Sequence, residues 1–153
     1  VAGASQLTGV NLPPLNEAES RSQLALWAEW GSPLIAGNDL AHMPEAIRAL
    51  LINRDLLAID QDSLRAPATP LAGSDGTIWT RPLADGSTAI VIVNRDDVAQ
   101  PFRAAFSALG LPKTRQFEVL DVFSGQRSVQ KLTYRTGLAA HDATLLRVRA
   151  LDN

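Results

Sequence analysis

The stretch TIWTRPLADGSTAIVIVN, residues 77–94, predicts a β-hairpin. Its two halves, Thr77 to Leu83 and Thr88 to Asn94, have the length and composition of strands. Asp85 and Gly86 stand between them, and an Asp-Gly pair favours the tight turn that joins two antiparallel strands. We therefore expect antiparallel strands from residue 77 onward.

Apolar residues that alternate with a period of two predict further strands. The alternating segments are 102–106, 117–123, 131–136 and 143–148, and Ser124-Gly125 supplies a turn after the second of them. Six or more short strands at close spacing are typical of an antiparallel β-sandwich, which we expect in residues 77–153.

Before residue 63, the apolar residues follow helical spacing and do not alternate. Asn16 can cap a helix, with Glu19 as its reciprocal partner three positions later. Two apolar stripes follow at helical spacing, one of Leu24, Trp27 and Ala28 and the other of Leu26 and Trp30. We expect a well-buried helix that ends at Gly31, because glycine favours the left-handed conformation that follows many helices.

A short apolar run and two further helices are predicted next. Leu34 to Ala36 is short enough to be a strand hidden on both faces. Pro44 suits the first turn of a helix that extends to Asn53, and a second short helix is expected from Asp55 to Gln61. Helix, buried strand and helix in this order are typical of an α/β layer or barrel.

A connector separates the two regions. The segment from Leu64 to Gly76 contains Pro67, Pro70 and Gly73, which is the composition of a linker. We therefore expect an α/β region in residues 1–62, a linker in residues 63–76 and the sandwich in residues 77–153.

Composition argues against several classes of partner. The 153 residues include 14 Lys and Arg against 16 Asp and Glu, and no segment concentrates the positive charge that nucleic-acid binding requires. The apolar runs are far shorter than the roughly 20 residues of a membrane helix. The chain has no cysteine for a disulfide, a thiolate metal site or a nucleophile. We expect neither nucleic acid nor membrane as a partner.

Three sequence blocks resemble glycoside hydrolase family 27, the melibiase-type α-galactosidases. They are ESRSQLALW at residues 19–27, GSPLIAGNDL at residues 31–40 and LAIDQD at residues 57–62. IWTRPLADGS and AIVIVNR, at residues 78–87 and 89–95, look like the first hairpin of that family's C-terminal sandwich. The resemblance implies the last βα units of a (β/α)8 barrel followed by an antiparallel β-sandwich.

The resemblance also implies what the whole protein does. Family members cleave terminal α-galactosides with retention at the C-terminal mouth of the barrel, and their two catalytic aspartates lie on earlier strands. A retaining glycosidase needs two carboxyl groups about 5 to 5.5 Å apart. Asp60 and Asp62 lie in a short terminal helix, and Asp96 and Asp97 lie in a hairpin loop. We expect neither pair to form such a site.

Asn38 and Asp39 are the candidate sugar-binding residues. They follow the predicted last barrel strand at its C-terminal end, where barrels expose side chains to ligands. The simpler interpretation is that Asp39 caps the next helix and Asn38 accommodates a turn.

The tryptophans and histidines favour structural roles. Trp27 and Trp30 share helical spacing with leucines, which indicates core packing rather than stacking on a sugar. His42 and His141 have no carboxylate at metal-ligand spacing, so turn or cap positions are expected. The sequence predicts no metal and no cofactor.

Two functions are compatible with these patterns. In the first, the chain closes and buttresses the barrel of a secreted or periplasmic α-galactosidase, is inactive alone, and has its exposed apolar face covered by the rest of the barrel or by another chain. In the second, the sandwich is a non-catalytic carbohydrate-binding or interaction module. The aromatic content of only 5% argues against this second function. The sequence leaves the sugar open among galactose, N-acetylgalactosamine and arabinopyranose.

Overall fold

Three helices precede eight strands in the part of the chain that the structure, a computed structural model, describes: residues 14–35, 37, 39, 41–111 and 116–151. The helices are α1 (Glu17–Trp30), α2 (Glu45–Leu51) and α3 (Arg54–Asp60). The strands are β1 (Thr69–Pro70), β2 (Ile78–Pro82), β3 (Thr88–Val93), β4 (Gln100–Ala105), β5 (Gln116–Asp121), β6 (Arg127–Gln130), β7 (Thr133–Leu138) and β8 (Ala143–Leu151).

The strands form two antiparallel sheets that face each other. Six strands follow the order β1-β2-β3-β8-β5-β6, and β4 pairs with β7 in the second sheet. The hairpin predicted for residues 77–94 is confirmed, with Pro82 opposite Thr88 across the Asp85-Gly86 turn. Two strands were not predicted: β6 follows the Ser124-Gly125 turn, and β1 lies within the predicted linker.

The central strands of the large sheet are buried on both faces. Ile90 and Ile92 of β3 belong to a core shared with Phe106 and Leu138, on the side of the small sheet. Their neighbours Ala89 and Val91 belong to a second core, shared with the helices. The apolar run of β3 reflects this double burial, since successive side chains on a strand point to opposite faces. The result is three layers, with helices on one side and the small sheet on the other.

Helix α1 has the predicted ends. The Asn16 side chain accepts a hydrogen bond from the Glu19 backbone at 3.0 Å, and the Glu19 side chain accepts one from the Asn16 backbone at 2.8 Å. Gly31 ends the helix in the left-handed conformation at φ 61°. The prediction for Trp30 is wrong, because 46% of this residue is exposed; its ring meets that of Trp79 edge-on.

The strand predicted for residues 34–36 is also not formed. Leu34 and Ile35 have irregular backbone, 79% of Ile35 is exposed, and Ala36 lies outside the described residues. A parallel strand needs a neighbouring strand for its backbone hydrogen bonds, and no strand among the described residues lies beside this segment.

The predicted linker is structured in part. Thr69 and Pro70 form β1, which pairs with Thr80 and Trp79 of β2. The domain bounds at residues 62 and 77 stay a prediction, while the helices and the large sheet share one apolar core.

Among the described residues, no helix combines the length and hydrophobicity needed to cross a bilayer.

Candidate functional site

Asp39, one of the two predicted sugar-binding residues, lies exposed in the loop before α2. Its Oδ1 atom accepts a hydrogen bond from the Ala41 backbone at 3.0 Å, and its Oδ2 atom lies 2.8 Å from Nδ1 of His42. The bond with His42 is the main cause that lowers the pKa of the Asp39 carboxyl. Asn38 lies outside the described residues, so the sugar-binding role of the pair stays a prediction.

A pocket of about 400 Å³ lies where the helical region meets the sandwich. We call it the junction pocket; it is lined by Trp30, Gly31, Ser32, Pro33, Asp60, Gln61, Asp62, Arg65, Ala66 and Arg81. The end of α1, the end of α3 and strand β2 therefore all contribute to it. Its volume falls within the range of small-molecule sites.

Arg81 of β2 links the sandwich to the end of α1. Only 2% of this residue is exposed, and its Nη1 atom donates to the backbone oxygens of Ala28 at 2.9 Å and Glu29 at 3.3 Å. The last carbonyls of a helix lack partners within the helix and carry partial negative charge. The guanidinium of Arg81 therefore adds to the cap of α1, because the Gly31 N–H also donates to the Ala28 carbonyl, at 3.2 Å.

Gly31 makes room for this contact. A Cβ atom at this position would lie 3.0 Å from Nη1 of Arg81, and the φ angle of 61° disfavours other residues. The glycine that ends the helix thus also allows the arginine to approach.

Glu29 is buried beside Arg81 without a hydrogen bond to either carboxylate oxygen. Burial raises the pKa of Glu29 to about 8, against the opposing effect of the Arg81 charge. Burial likewise raises the pKa of Asp60, again opposed by Arg81, and Oδ1 of Asp60 is also without a partner. Buried polar atoms without partners are rare in folded proteins, so this cluster marks an incompletely satisfied site.

Asp62 has a different role from Asp60. Its Oδ1 atom accepts from the backbones of Leu64 and Ala84, both at 3.0 Å, and Oδ2 lies 3.1 Å from the same Ala84 nitrogen. This carboxylate therefore ties the end of α3 to the β2–β3 turn.

The loop before β8 holds the other side of α1. Arg21 donates from Nε and Nη2 to the two carboxylate oxygens of Asp142, at 2.9 and 2.8 Å, and the Ser22 hydroxyl donates to the His141 carbonyl at 2.6 Å. His141 lies in a turn at φ 56°, with Nε2 at 2.9 Å from Oδ1 of the exposed Asp97. Within the described residues, no cluster of three or more His, Cys, Asp or Glu could hold a metal ion.

Sequence reasoning missed the cluster of Glu29, Asp60 and Arg81. A signal was present, because Glu29 stands four residues after the buried Ala25 and so shares its face of the helix. Arg81 likewise has the same strand parity as Trp79 and Leu83. Charged residues at core-facing positions indicate such a cluster, although only the structure shows that the two elements meet.

Comparison with known proteins covers both regions of the chain. Residues 10–62 match the family model described as alpha galactosidase A, and residues 73–148 match the alpha galactosidase C-terminal beta sandwich domain. The chain belongs to the melibiase-type α-galactosidase family. It is a C-terminal portion of such a protein, and the predicted fold class, a barrel end followed by an antiparallel sandwich, is confirmed.

Relatives of this α-galactosidase-family chain differ in the sugar they are named for. Alpha-galactosidase A of Cellvibrio japonicus is 39% identical over 61% of this chain and 23% of its own length. Alpha-N-acetylgalactosaminidase of Gallus gallus is 32% identical over 73% of this chain and 28% of its own length. The chain thus spans about a quarter of the length of the curated relatives that it matches.

A solved structure with the same fold is alpha-galactosidase I from Mortierella vinacea. It is 25% identical and superposes with a TM-score of 0.80 over 88% of this chain and 36% of its own. The helices and sandwich of this family member therefore have the arrangement found in a larger α-galactosidase.

Proposed function

We propose that this chain is the C-terminal portion of a retaining glycoside hydrolase that cleaves terminal α-galactosides. The observation that carries the proposal is the match of two α-galactosidase family models, in order, to the helical region and the sandwich. Retention follows from the family resemblance, and N-acetylgalactosamine and arabinopyranose remain alternative sugars. The whole protein is proposed to act outside the cell or in the periplasm.

The role proposed for this portion is structural. Two acidic residues are engaged in structural contacts: Asp62 joins α3 to the β2–β3 turn and Asp142 holds Arg21. A retaining site instead needs two carboxyl groups that face one sugar from opposite sides. We assign these groups to the part of the protein outside this chain.

The rest of the barrel is proposed to cover the segment that follows α1. Ile35 is 79% exposed and Trp30 is 46% exposed, although both residues lie in the region predicted to close the barrel. Exposed large apolar residues at neighbouring positions indicate a surface that another polypeptide covers. Pairing with adjacent strands would bury Ile35 and complete its backbone hydrogen bonds.

The test is hydrolysis of a chromogenic α-galactoside by the whole protein. We expect release of galactose as the α-anomer first, observed by NMR before mutarotation, because two successive inversions give retention. First release of the β-anomer would refute retention, and lack of hydrolysis of any α-galactoside or α-N-acetylgalactosaminide would refute the proposed activity.

A further inference from the structure

The sequence contains two Asp-Gly pairs, Asp75-Gly76 in the loop between β1 and β2 and Asp85-Gly86 in the turn between β2 and β3. Glycine has no side chain to shield its backbone nitrogen, so this nitrogen can attack the carboxyl group of a preceding aspartate. The two pairs have the same covalent chemistry. Their contacts in the folded chain therefore decide whether either of them reacts.

The carboxylate of Asp85 is held by its neighbours. Its Oδ1 atom accepts from the Ser87 backbone at 3.0 Å, and Oδ2 accepts from Nη2 of Arg147 at 2.8 Å and from Arg149. Burial alone would raise the pKa of Asp85, but the hydrogen bonds from Ser87 and the charges of the two arginines lower it to about 2. These charge-assisted bonds must break before the carboxyl group can turn to another partner.

Asp75 has no such contacts. Its side chain is exposed, and among the described residues Asp75 accepts a hydrogen bond only at its backbone oxygen, from Nη1 of Arg95 at 3.1 Å. Asp75 also has left-handed backbone at φ 50°, a conformation that costs free energy in a residue with a Cβ atom, and Asp85 does not. The carboxyl group of Asp75 is therefore accessible and lies in a strained loop.

The two glycine nitrogens differ in the same way. The Gly86 nitrogen donates to the Leu83 carbonyl at 3.1 Å within the turn. The Gly76 nitrogen donates to no other residue that the structure describes. The loop is closed instead by Thr77, which donates to the Ser74 carbonyl from its backbone at 3.0 Å and from its hydroxyl at 2.6 Å. Both reacting groups are thus available in the first pair and engaged in the second.

We propose that Asp75-Gly76 is a site of spontaneous isoaspartate formation in the folded protein, and that the fold protects Asp85-Gly86 from the same change. The Gly76 nitrogen attacks Cγ of Asp75 and forms a C–N bond. A C–O bond of the protonated carboxyl group breaks, and its hydroxyl leaves as water with the proton of the nitrogen. The product is a succinimide ring. The proposal does not depend on the activity of the whole protein.

Solvent water then opens the ring. Where water breaks the bond between the Gly76 nitrogen and the backbone carbonyl carbon of Asp75, the chain continues through Cβ and Cγ. The former backbone carbonyl becomes a carboxylate, so the net charge is unchanged. This carboxylate arises from the oxygen that accepts from Arg95, and a guanidinium binds a carboxylate more strongly than a neutral carbonyl. The loop therefore offers the product a partner.

Ageing of the whole protein in neutral buffer at physiological temperature tests the proposal. Isoaspartate at each pair is measured by peptide mapping over several weeks, with electron-transfer fragmentation to separate the two isomers, which have the same mass. A sample unfolded in guanidinium chloride gives the rate of each pair without the fold. Asp75→Glu is the control variant, because the side chain is exposed and a glutamate would have to close a larger, less favourable ring.

Each rate in the folded protein is divided by the rate of the same pair in guanidinium chloride, which removes the effect of neighbouring residues in the sequence. We expect this ratio to be several-fold higher at residue 75 than at residue 85. Asp75→Glu should remove the signal at residue 75 and leave the signal at residue 85 unchanged. A ratio at residue 75 no higher than at residue 85, or conversion only in the unfolded protein, would overturn the proposal.

Discussion

Glu29 is fully buried in α1, although neither of its carboxylate oxygens has a hydrogen-bond partner. An ionised carboxylate in such a place costs several kcal/mol, so the group remains protonated to a higher pH than an exposed glutamate. The nearby Arg81 offsets only part of this effect, since burial still raises the pKa of Glu29 to about 8. The residue therefore makes the stability of the fold depend on pH.

Glu29→Gln should remove this dependence. Because the folded pKa lies above the ordinary value of 4.5, the contribution of Glu29 to stability is fully present below that pH and is lost as the pH rises to about 8. At pH 8 the variant should exceed the wild type in free energy of unfolding by on the order of a few kcal/mol, and at pH 4 by much less. Urea unfolding at both pH values measures the difference. Glu45→Gln, at an exposed position, is the control, and an unchanged pH slope in Glu29→Gln would contradict the account.

Gly31→Ala should destabilise the chain for two reasons. The left-handed backbone costs alanine about 1 to 2 kcal/mol, and the new Cβ atom would lie 3.0 Å from Nη1 of Arg81. Gly86→Ala has a similar φ of 78° but meets nothing within 4 Å, so it carries the backbone cost alone. Thermal unfolding should show a larger loss for Gly31→Ala, and equal losses would mean that the approach of Arg81 costs nothing.

At the scale of elements, α1 is held by contacts at both ends. Arg81 caps its C-terminus, while Arg21 pairs with Asp142 through two parallel hydrogen bonds near its N-terminus. The side chains of this pair are 25% and 13% exposed, and such partly buried bidentate pairs are stronger than surface ion pairs. The sandwich thus fixes the position of the helix.

Arg21→Ala should lower the free energy of unfolding by about 1 to 3 kcal/mol, because it leaves a partly buried carboxylate unpaired. Arg48→Ala removes an exposed pair with Glu45 and should cost less than about 0.5 kcal/mol. Urea unfolding of the two variants at the same salt concentration gives the comparison. Similar small losses for both would show that the Arg21–Asp142 pair does not hold the helix.

The sequence predicted those elements whose signals are local. The cap at Asn16, the end at Gly31 and the Asp85-Gly86 turn each depend on residues a few positions apart, and the structure confirms them. The sequence could not predict the features that depend on long-range contacts. The 34–36 strand lacks a neighbour among the described residues, Trp30 lies at an edge of the core, and Arg81 meets Glu29 only because the sheet packs on the helix.

At the scale of the molecule, the helices and one face of the large sheet share one of the two apolar cores, while the other core lies between the two sheets. Leu56 of α3 and Leu145 of β8 are both fully buried in the first of these cores, although they lie in the two regions that composition separates. Burial of this kind couples the stability of one region to that of the other. The proposed structural role requires such coupling, because a sandwich joined only by a linker would not support the barrel end.

Leu145→Ala should therefore destabilise both regions by about 2 to 5 kcal/mol, the usual cost of a cavity in a core. Hydrogen exchange of backbone amides, followed separately in α1 and in β5, measures the two effects. We expect exchange to accelerate to the same extent in both elements. Faster exchange in β5 with no change in α1 would show two independent units.

We propose that catalysis belongs to the part of the protein outside these 153 residues. The direct measurement is hydrolysis of a chromogenic α-galactoside by the isolated chain and by the whole protein, at equal molar concentration and under the same conditions. We expect turnover by the whole protein and none above background by the chain. Turnover by the chain alone, lost when one of its own acidic residues is replaced, would contradict the proposal.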